Sequence, residues 1–545
     1  MKHGKLKAVS VVIIGLLLGY AIATQLNGFL GIEFIPKDLP VEVVPDEVHA
    51  LDASAPMDAV SAVVLSSGAL QDELLVRAAE TLADAVQTRT GQRPLIAEVG
   101  DDLPAGRRII VGAQSAPELA KSQPESPEAF TLAPFLPAGD DQALGVVGGS
   151  RLGDAYGMYR LADELLAGAD DAVLFSQPQT VAPAMSRRLV DLGAVGIPQD
   201  PTGWDPANYS HHLRAFEDVF LAEAPYVDQE KFAEVQAQFA DYVQRVIAYG
   251  NNGIVIPGFL EFINFDHIGD GFDVYPADSD YRARHLALRD AYNQLIDYAQ
   301  DAGMQVYLLT DMLALTPPLE AYFGQQFGGL DTENPALWQV YGSGLEELAQ
   351  TMPGVDGVML RIGEAGSIYN LPGWDYTSAL AVRSVDATQE MLQAFLGVAE
   401  QQDKEIIFRT WSVGVGEVGD MHTNPASYAR LLDGIDSPNL IVSTKLVGGD
   451  FYSDLPFNET CAAASNSASS SFRTGWSSKG QWRFLITSPR CTSKPWKRCA
   501  PTTQRSTASG SGTRMEGRSR QDRCHSTRST DSGSTSTPTA TSPHG

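Results

Sequence analysis

From Ala59 the chain settles into regular alternations of apolar and polar residues. "AVSAVVLSS" has the continuous apolar character of a buried strand. "LQDELLVRAAETLADAVQTRTG" repeats its apolar positions at helical spacing and closes on Gly91. "RRIIVGA" and "QALGVVGGS" read as two further strands, and "RLGDAYGMYRLADELLAG" as a helix ending at Gly168. The pattern predicts a small α/β domain over residues 56–180, with no carboxylate or histidine cluster that suggests chemistry.

After the Pro/Gln/Ser stretch "FSQPQTVAPAMS" a longer alternation runs over residues 186–460. Its strands read "RRLVDLG", "GIVIPG", "MQVYLLTD", "GVMLRIGE", "EIIFRTWS" and "LIVSTK". Amphipathic helices fall between several of them. In "EKFAEVQAQFADYVQRVIAYG", Phe232, Val235, Phe239, Tyr242 and Val246 form one stripe, and Gly250 ends it. Strands alternating with helices predict a parallel sheet covered by helices. Polar residues at each strand's C-terminal end favour a (β/α)8 TIM-type barrel, with an open doubly wound sheet as the competing architecture. The expected fold is a small N-terminal α/β domain followed by such a barrel, incomplete at about six strands.

Composition sharpens this picture because the net charge of −28 hides two populations. After Thr460 there are 13 Lys/Arg and 3 Asp/Glu; before it, 26 and 64. All four cysteines, Cys461, Cys491, Cys499 and Cys524, lie in the tail. The body is therefore acidic and free of cysteine, which excludes a disulfide scaffold and argues against nucleic acid as partner. Residues 461–545 are Ser/Thr/Arg-rich without apolar periodicity and read as a disordered tail. A shifted reading frame explains the abrupt change better. Codons compatible with the tail, read in the neighbouring frame, spell segments such as "DGIWVWN", which suits a barrel strand and restores the acidic character.

At the other end, "MKHGKLK" is a basic leader before the apolar run "AVSVVIIGLLLGYAIA". Residues 1–23 read as an export signal, with Ala21-Ile22-Ala23 for cleavage, or as a retained membrane anchor through residues 8–23. Residues 24–55 read as a linker. Either reading places the body outside the cytoplasm: periplasmic, extracellular or membrane-anchored.

In a parallel barrel, ligands bind where the strand-to-helix loops converge. The strand ends supply Asp191, Glu261, Asp311, Arg361, Glu364, Arg409, Trp411, Lys445 and Asp450. Acids for proton transfer, aromatic faces for ring stacking and cations for anionic groups suit a carbohydrate substrate and require no cofactor. Glu364 is the sharpest candidate. It follows a strand too apolar for the surface, and Gly363 and Gly366 allow close backbone approach. Partly buried, its carboxyl could protonate a leaving oxygen; the bland alternative is a rim carboxylate paired with Arg361 or Arg409. Asp450 and Asp454 could place a water opposite it, or serve as ordinary loop aspartates. Arg361, Arg409 and Lys445 would bind an acidic or polyhydroxylated sugar or neutralise the acids, Trp411 would pack on the ring, and Asp311 and Glu261 would complete the substrate contacts.

Other motifs carry less. Gly414-x-Gly416-x-x-Gly419 matches a dinucleotide fingerprint, but "DMHTNP" separates it from the next helix, whose N-cap is Asn424. His211 and His212 are adjacent and cannot readily face one metal. No G-x-S-x-G, H-E-x-x-H or metal-spaced cysteine pair is present.

"RRIIVGAQSAPEL" and "ALGVVGGSRLGDAYGMYRLADELL" resemble the N-terminal domain of α-glucuronidases (glycoside hydrolase family 67) and of β-hexosaminidases. "GVDGVMLRIGEAG", "EIIFRTWSVG" and "NLIVSTKLVGGDFYSDLPFN" are similar to successive α-glucuronidase strands. The resemblance covers residues 60–460 and implies an inverting hydrolase with Glu364 as general acid. The sequence departs from the family where Ala429 and Leu455 stand near the positions of the two further carboxylates. The rival expectations are a glycan-binding envelope protein that lost the base, and a truncated product that does not fold. The gene's nucleotide sequence tests the frame: an open frame shifted from the written one is expected to continue past the Thr460 codon, and its absence refutes the shift.

Overall fold

The computed structural model describes residues 60–135, 143–169, 174, 177–192, 219–266, 268, 271, 273–369, 371–410, 414–445, 456, 458–460, 470–476 and 482–486. All of them fall in one compact unit, Val43–Lys494. The leader, the linker, and the loop positions Trp411, Asp450 and Asp454 lie outside the described residues. Among the described residues, no helix is long and apolar enough to cross a membrane.

The first layer is a six-stranded sheet in the order β2-β1-β3-β5-β4-β6. Its strands are β1 (Val60–Leu65), β2 (Leu95–Glu98), β3 (Arg107–Val111), β4 (Phe130–Phe135), β5 (Ala143–Gly148) and β6 (Gln179–Val181). β2, β1, β3 and β5 run parallel; β4 lies antiparallel to both its neighbours. Helices α1 (Glu73–Thr90) and α2 (Arg151–Leu166) start where side chains cap them. Asp72 accepts from the Leu74 and Leu75 amides, and Ser150 accepts from the Gly153 amide. Gly91, at φ 80°, stops α1 as its sequence predicts.

The second sheet forms a curled partial barrel. Its six parallel strands are those expected: β7 (Leu189–Asp191), β8 (Gly253–Pro257), β9 (Gln305–Asp311), β11 (Gly357–Arg361), β14 (Glu405–Arg409) and β15 (Leu440–Lys445). Between β9 and β14 come three two-residue strands, β10 (Ala314–Leu315), β12 (Gly366–Ser367) and β13 (Thr377–Ser378), which form a small sheet of their own. The connecting helices are α3 (Gln229–Ala248), α4 (Asp280–Asp301), α5 (Pro317–Phe327), α6 (Pro335–Thr351), α7 (Val385–Gln402) and α8 (Pro425–Leu432). The predicted stripe of α3 is buried throughout.

Within residues 461–545 the described residues are two strands, β16 (Ser470–Trp476), parallel to β15, and β17 (Trp482–Ile486), antiparallel to β16. The open edge of β15 presents unpaired backbone groups, and β16 satisfies them. β17 lies beside β7, though no ladder joins the two among the described residues. The antiparallel last strand departs from a true (β/α)8 barrel.

Period-two alternation divides each parallel strand between two cores. Ile254, Ile256, Val306, Leu308, Val358, Leu360, Ile406, Phe408, Leu440 and Val442 join the large core beneath the helices. Leu189, Val255, Tyr307, Leu309, Met359, Ile407 and Ile441 meet one another in a separate small core, the lumen. The first domain is fastened at the N-terminal end of this barrel. Tyr156 donates to the Asn251 carbonyl at 2.7 Å, and Glu128 accepts from Arg188 at 2.6 Å and Asn252 at 2.7 Å.

Strand β11 begins on a glycine because its neighbour leaves no room. A Cβ on Gly357 would lie 2.1 Å from the Glu405 carbonyl oxygen. Gly357→Ala is expected to cost about 1–3 kcal/mol, read from the urea midpoint. Gly397→Ala, on α7 with open space around it, is expected to be neutral or stabilising by about 0.5–1 kcal/mol.

Candidate functional site

The alternation that fills the lumen also builds its roof. Continuing two residues beyond Leu189, Leu309, Met359 and Ile407 reaches Asp191, Asp311, Arg361 and Arg409; Lys445 follows Ile441 by four. These charged residues end five parallel strands and are all buried, between 5% and 8% exposed. They form a charged layer over an apolar one, at the C-terminal mouth where the loops converge.

Two ion pairs organise this layer. Arg361 grips Asp311 with both edges of its fork, Nε to Oδ1 at 2.7 Å and Nη2 to Oδ2 at 2.5 Å. Arg409 approaches Asp191 more loosely, Nη1 to Oδ2 at 3.7 Å. Arg361 is held above its ordinary range: the neighbouring carboxylates, Asp311 foremost, outweigh the desolvation that acts against its charge. For Arg409 the balance reverses. Burial, reinforced by repulsion from Arg361, lowers it to about 10 despite Asp191, Glu364 and Asp311.

Glu364 sits just past the end of β11 with its side chain 11% exposed. Its Oε2 lies 3.2 Å from Arg361 Nη2, yet the approach misses hydrogen-bonding geometry, and this buried oxygen has no hydrogen bond among the described residues. Burial raises its pKa, Arg361 lowers it, Asp311 raises it, and Arg409 and Lys445 lower it further. The net direction is upward. Such a carboxyl keeps a proton to higher pH than an ordinary glutamate while keeping cations close at hand.

The structure thus brings together five of the expected residues, Asp311, Arg361, Glu364, Arg409 and Lys445, and adds Asp191 to them. Asp191 had been visible as a strand end but carried no role; the inward parity of β7 was the signal for it. Glu261 goes elsewhere. On the short turn Leu260–Phe262 after β8 it is 2% exposed, and accepts from the Phe259 amide at 2.8 Å and the Tyr369 hydroxyl at 3.0 Å. Both of these contacts are internal to the protein, and the neighbouring side chains Phe259 and Tyr369 are aromatic. Trp411, Asp450 and Asp454 lie outside the described residues.

A hollow of about 280 Å³ opens at the opposite end of the barrel, lined by Gln305, Asp356, Asp403, Glu405, Pro438 and Asn439. Two of its three acids are engaged within the protein. Glu405 binds Arg187 and accepts from the Tyr307 hydroxyl at 2.5 Å, and Asp356 accepts from the Val306 amide at 2.7 Å. Among the described residues, no group of His, Cys, Asp and Glu could hold a metal ion.

No family model matches the chain, and no curated protein matches it. Similar solved structures are glycoside hydrolases. A GH138 enzyme targeting pectin rhamnogalacturonan II is 15% identical, with a TM-score of 0.41, over 71% of this chain and 38% of that one. The GH20 β-N-acetylhexosaminidase of Streptomyces coelicolor A3(2) is 12% identical, with a TM-score of 0.39, over 76% and 70%. The N-acetyl-β-hexosaminidase of Streptomyces plicatus is 13% identical, with a TM-score of 0.37, over 73% of each. The chain spans well under half the length of the first. Likeness at this level assigns no activity, and membership of the α-glucuronidases is not established by it.

The tight ion pair can be read from stability. Removing one partner of a buried pair strands the other's charge, at a cost of about 3–5 kcal/mol. Asp311→Asn is expected to lower stability by that order, in urea denaturation at neutral pH, and an unchanged midpoint would contradict the pairing with Arg361.

Proposed function

We propose that this protein is a glycoside hydrolase acting on acidic sugars in the manner of α-glucuronidases, with Glu364 as proton donor. The carrying observation is the Glu364 carboxyl at the barrel mouth. Its Oε2 is ion-paired with Arg361 Nη2 at 3.2 Å and has no hydrogen bond among the described residues, burial raises its pKa, and Arg409 and Lys445 also stand within electrostatic reach. A general acid must reach the substrate still protonated, and this environment favours that state. Arg361, Arg409 and Lys445 would then meet a substrate carboxylate, with Arg361 braced by Asp311 so that its charge keeps one position. Asp450 or Asp454 would hold the attacking water across the ring, and Trp411 would pack on the sugar face. In this reading the chain is exported through residues 1–23 or anchored by them.

One observation favours a second reading, a glycan-binding protein without turnover. The fork of Arg361 is already filled by Asp311, as in a purely structural rim. The two readings part on catalysis. Incubated with 4-nitrophenyl glycosides and with unactivated oligosaccharides bearing uronic acids, the hydrolase releases product. The binding protein gives a calorimetric signal and no new reducing ends.

Glu364→Gln is expected to lower kcat by about 10²–10⁴-fold on substrates with poor leaving groups. An unchanged rate removes Glu364 from the mechanism. The pH dependence has a definite sign. The active form is protonated Glu364, so the rate holds below its folded pKa and falls as pH rises through it. Because that pKa is raised, the alkaline limb of kcat is expected above the ordinary glutamate value of about 4.3. It should vanish in Glu364→Gln.

A further inference from the structure

Glu364 is followed at once by a strap, residues 365–369 and 371–380, that folds back onto the segment after β9. Its two arms are β12 and β13, paired antiparallel, with Ile368 donating to the Tyr376 carbonyl at 2.9 Å. β13 also pairs with β10, directly after the strand that carries Asp311. Leu313 and Ala379 exchange both backbone hydrogen bonds, at 3.0 and 2.8 Å, and Met312 donates to the Arg361 carbonyl at 2.7 Å. At its base, then, the strap is tied to the loops bearing both members of the tight ion pair.

Its outer end is a wedge of Tyr369, Trp374 and Tyr376, and buried polar groups hold each one. Tyr369 donates to Glu261 at 3.0 Å. Trp374 donates from Nε1 to the Leu221 carbonyl at 3.1 Å. His285, which burial and the surrounding arginines keep neutral, meets Asn264 Oδ1 at 3.0 Å through Nδ1. That contact requires Nδ1 to carry the proton, so Nε2 accepts from the Tyr376 hydroxyl at 2.8 Å. The Arg284 guanidinium fills the remaining space, 4.9 Å from the centroid of Trp374 and 5.3 to 5.7 Å from those of Tyr226, Tyr281 and Tyr376. Its Nε and Nη1 have no hydrogen-bond partner among the described residues, while its Cζ lies within cation–π distance of four rings.

The base under this wedge is itself fixed. Glu347 accepts from the Asn264 amide at 2.9 Å and the Asp266 amide at 3.2 Å while paired with Arg289. The turn carrying Glu261 is therefore rigid, and Glu261 is placed to hold something rather than to reach substrate.

We infer that Glu261 is a positioning residue for Glu364: through the Tyr369 hydroxyl it locks the strap, and the strap sets where the Glu364 carboxyl stands over Arg361. The inference rests on Glu364 as the proton donor. Without the lock, the first residues of the strap relax, Glu364 drifts from Arg361, and the proton it must deliver is held with a different strength. Charged groups facing Glu364 are Asp311 from β9, Arg361 from β11, Arg409 from β14 and Lys445 from β15; the first two end strands that border the base of the strap, and the other two come from strands beyond it.

The test is Tyr369→Phe, which deletes one oxygen and keeps the ring contacts with Phe220, Trp374 and Tyr376; Glu261→Gln serves as a second variant. The full chain is labelled with 13Cδ-glutamate, and the Glu364 signal is assigned by its loss in Glu364→Gln. The expected result is a shift of the Glu364 titration midpoint by about half to one pH unit in both variants. On a glycoside the same variants should lose about tenfold in kcat, with KM unchanged and the alkaline limb displaced with the midpoint. A midpoint unmoved in both variants overturns the inference, and does so even if hydrogen exchange at the Ile368 amide rises, since the strap would then be structural only. A wild-type protein that hydrolyses no glycoside defeats the proposed function separately, because the titration is read without turnover.

Discussion

The Asp311–Arg361 pair is the constraint on which the barrel mouth depends. Five strands end in buried charges, and ions taken from water without partners would cost several kcal/mol each. Arg361 is the member that makes the layer affordable. Its fork is satisfied by Asp311 at 2.7 and 2.5 Å, and it still presents a face to Glu364 at 3.2 Å. One arginine therefore offsets a strand-end aspartate and biases a loop glutamate. Arg409, 3.7 Å from Asp191, shows the opposing balance: burial and the neighbouring Arg361 lower its pKa despite the carboxylates around it.

Much of this was legible in the sequence because a strand's period fixes which residues share a face. Once "MQVYLLTD", "GVMLRIGE" and "EIIFRTWS" are read as strands with Leu309, Met359 and Ile407 inside, Asp311, Arg361 and Arg409 follow onto the same face by parity. The six parallel strands and the stripe of α3 were readable for the same reason. Asp191 obeyed the rule too, and lacked only a partner in sequence to suggest a role.

What was not legible depends on contacts between distant segments. Glu261 looked like a strand-end acid, but its neighbours Phe259 and Tyr369 come from its own turn and from a strap more than a hundred residues away. No local period announces that Arg284 will be enclosed by Tyr226, Tyr281, Trp374 and Tyr376; cation–π packing has no sequence spacing. Ser470–Trp476 lacks a regular apolar period, and its pairing with the open parallel edge of β15 is a contact between segments that no local pattern announces.

These features share one physical logic, which is separation of tasks by height in the barrel. The N-terminal end binds the first domain through Tyr156, Glu128 and Arg188 and closes the lumen with Arg187, Tyr307 and Glu405. The middle layer is apolar and excludes water. Charge is concentrated at the C-terminal end, where the dry layer beneath it strengthens each electrostatic contact. A carboxyl placed at that boundary feels burial from below and cations from the side, so its proton affinity depends on where it stands. The strap that follows Glu364 is tied at its base to β10 and at its outer end to Glu261. A group whose chemistry is set by position needs a firm mount, and the buried aromatic wedge around Arg284 contributes to one.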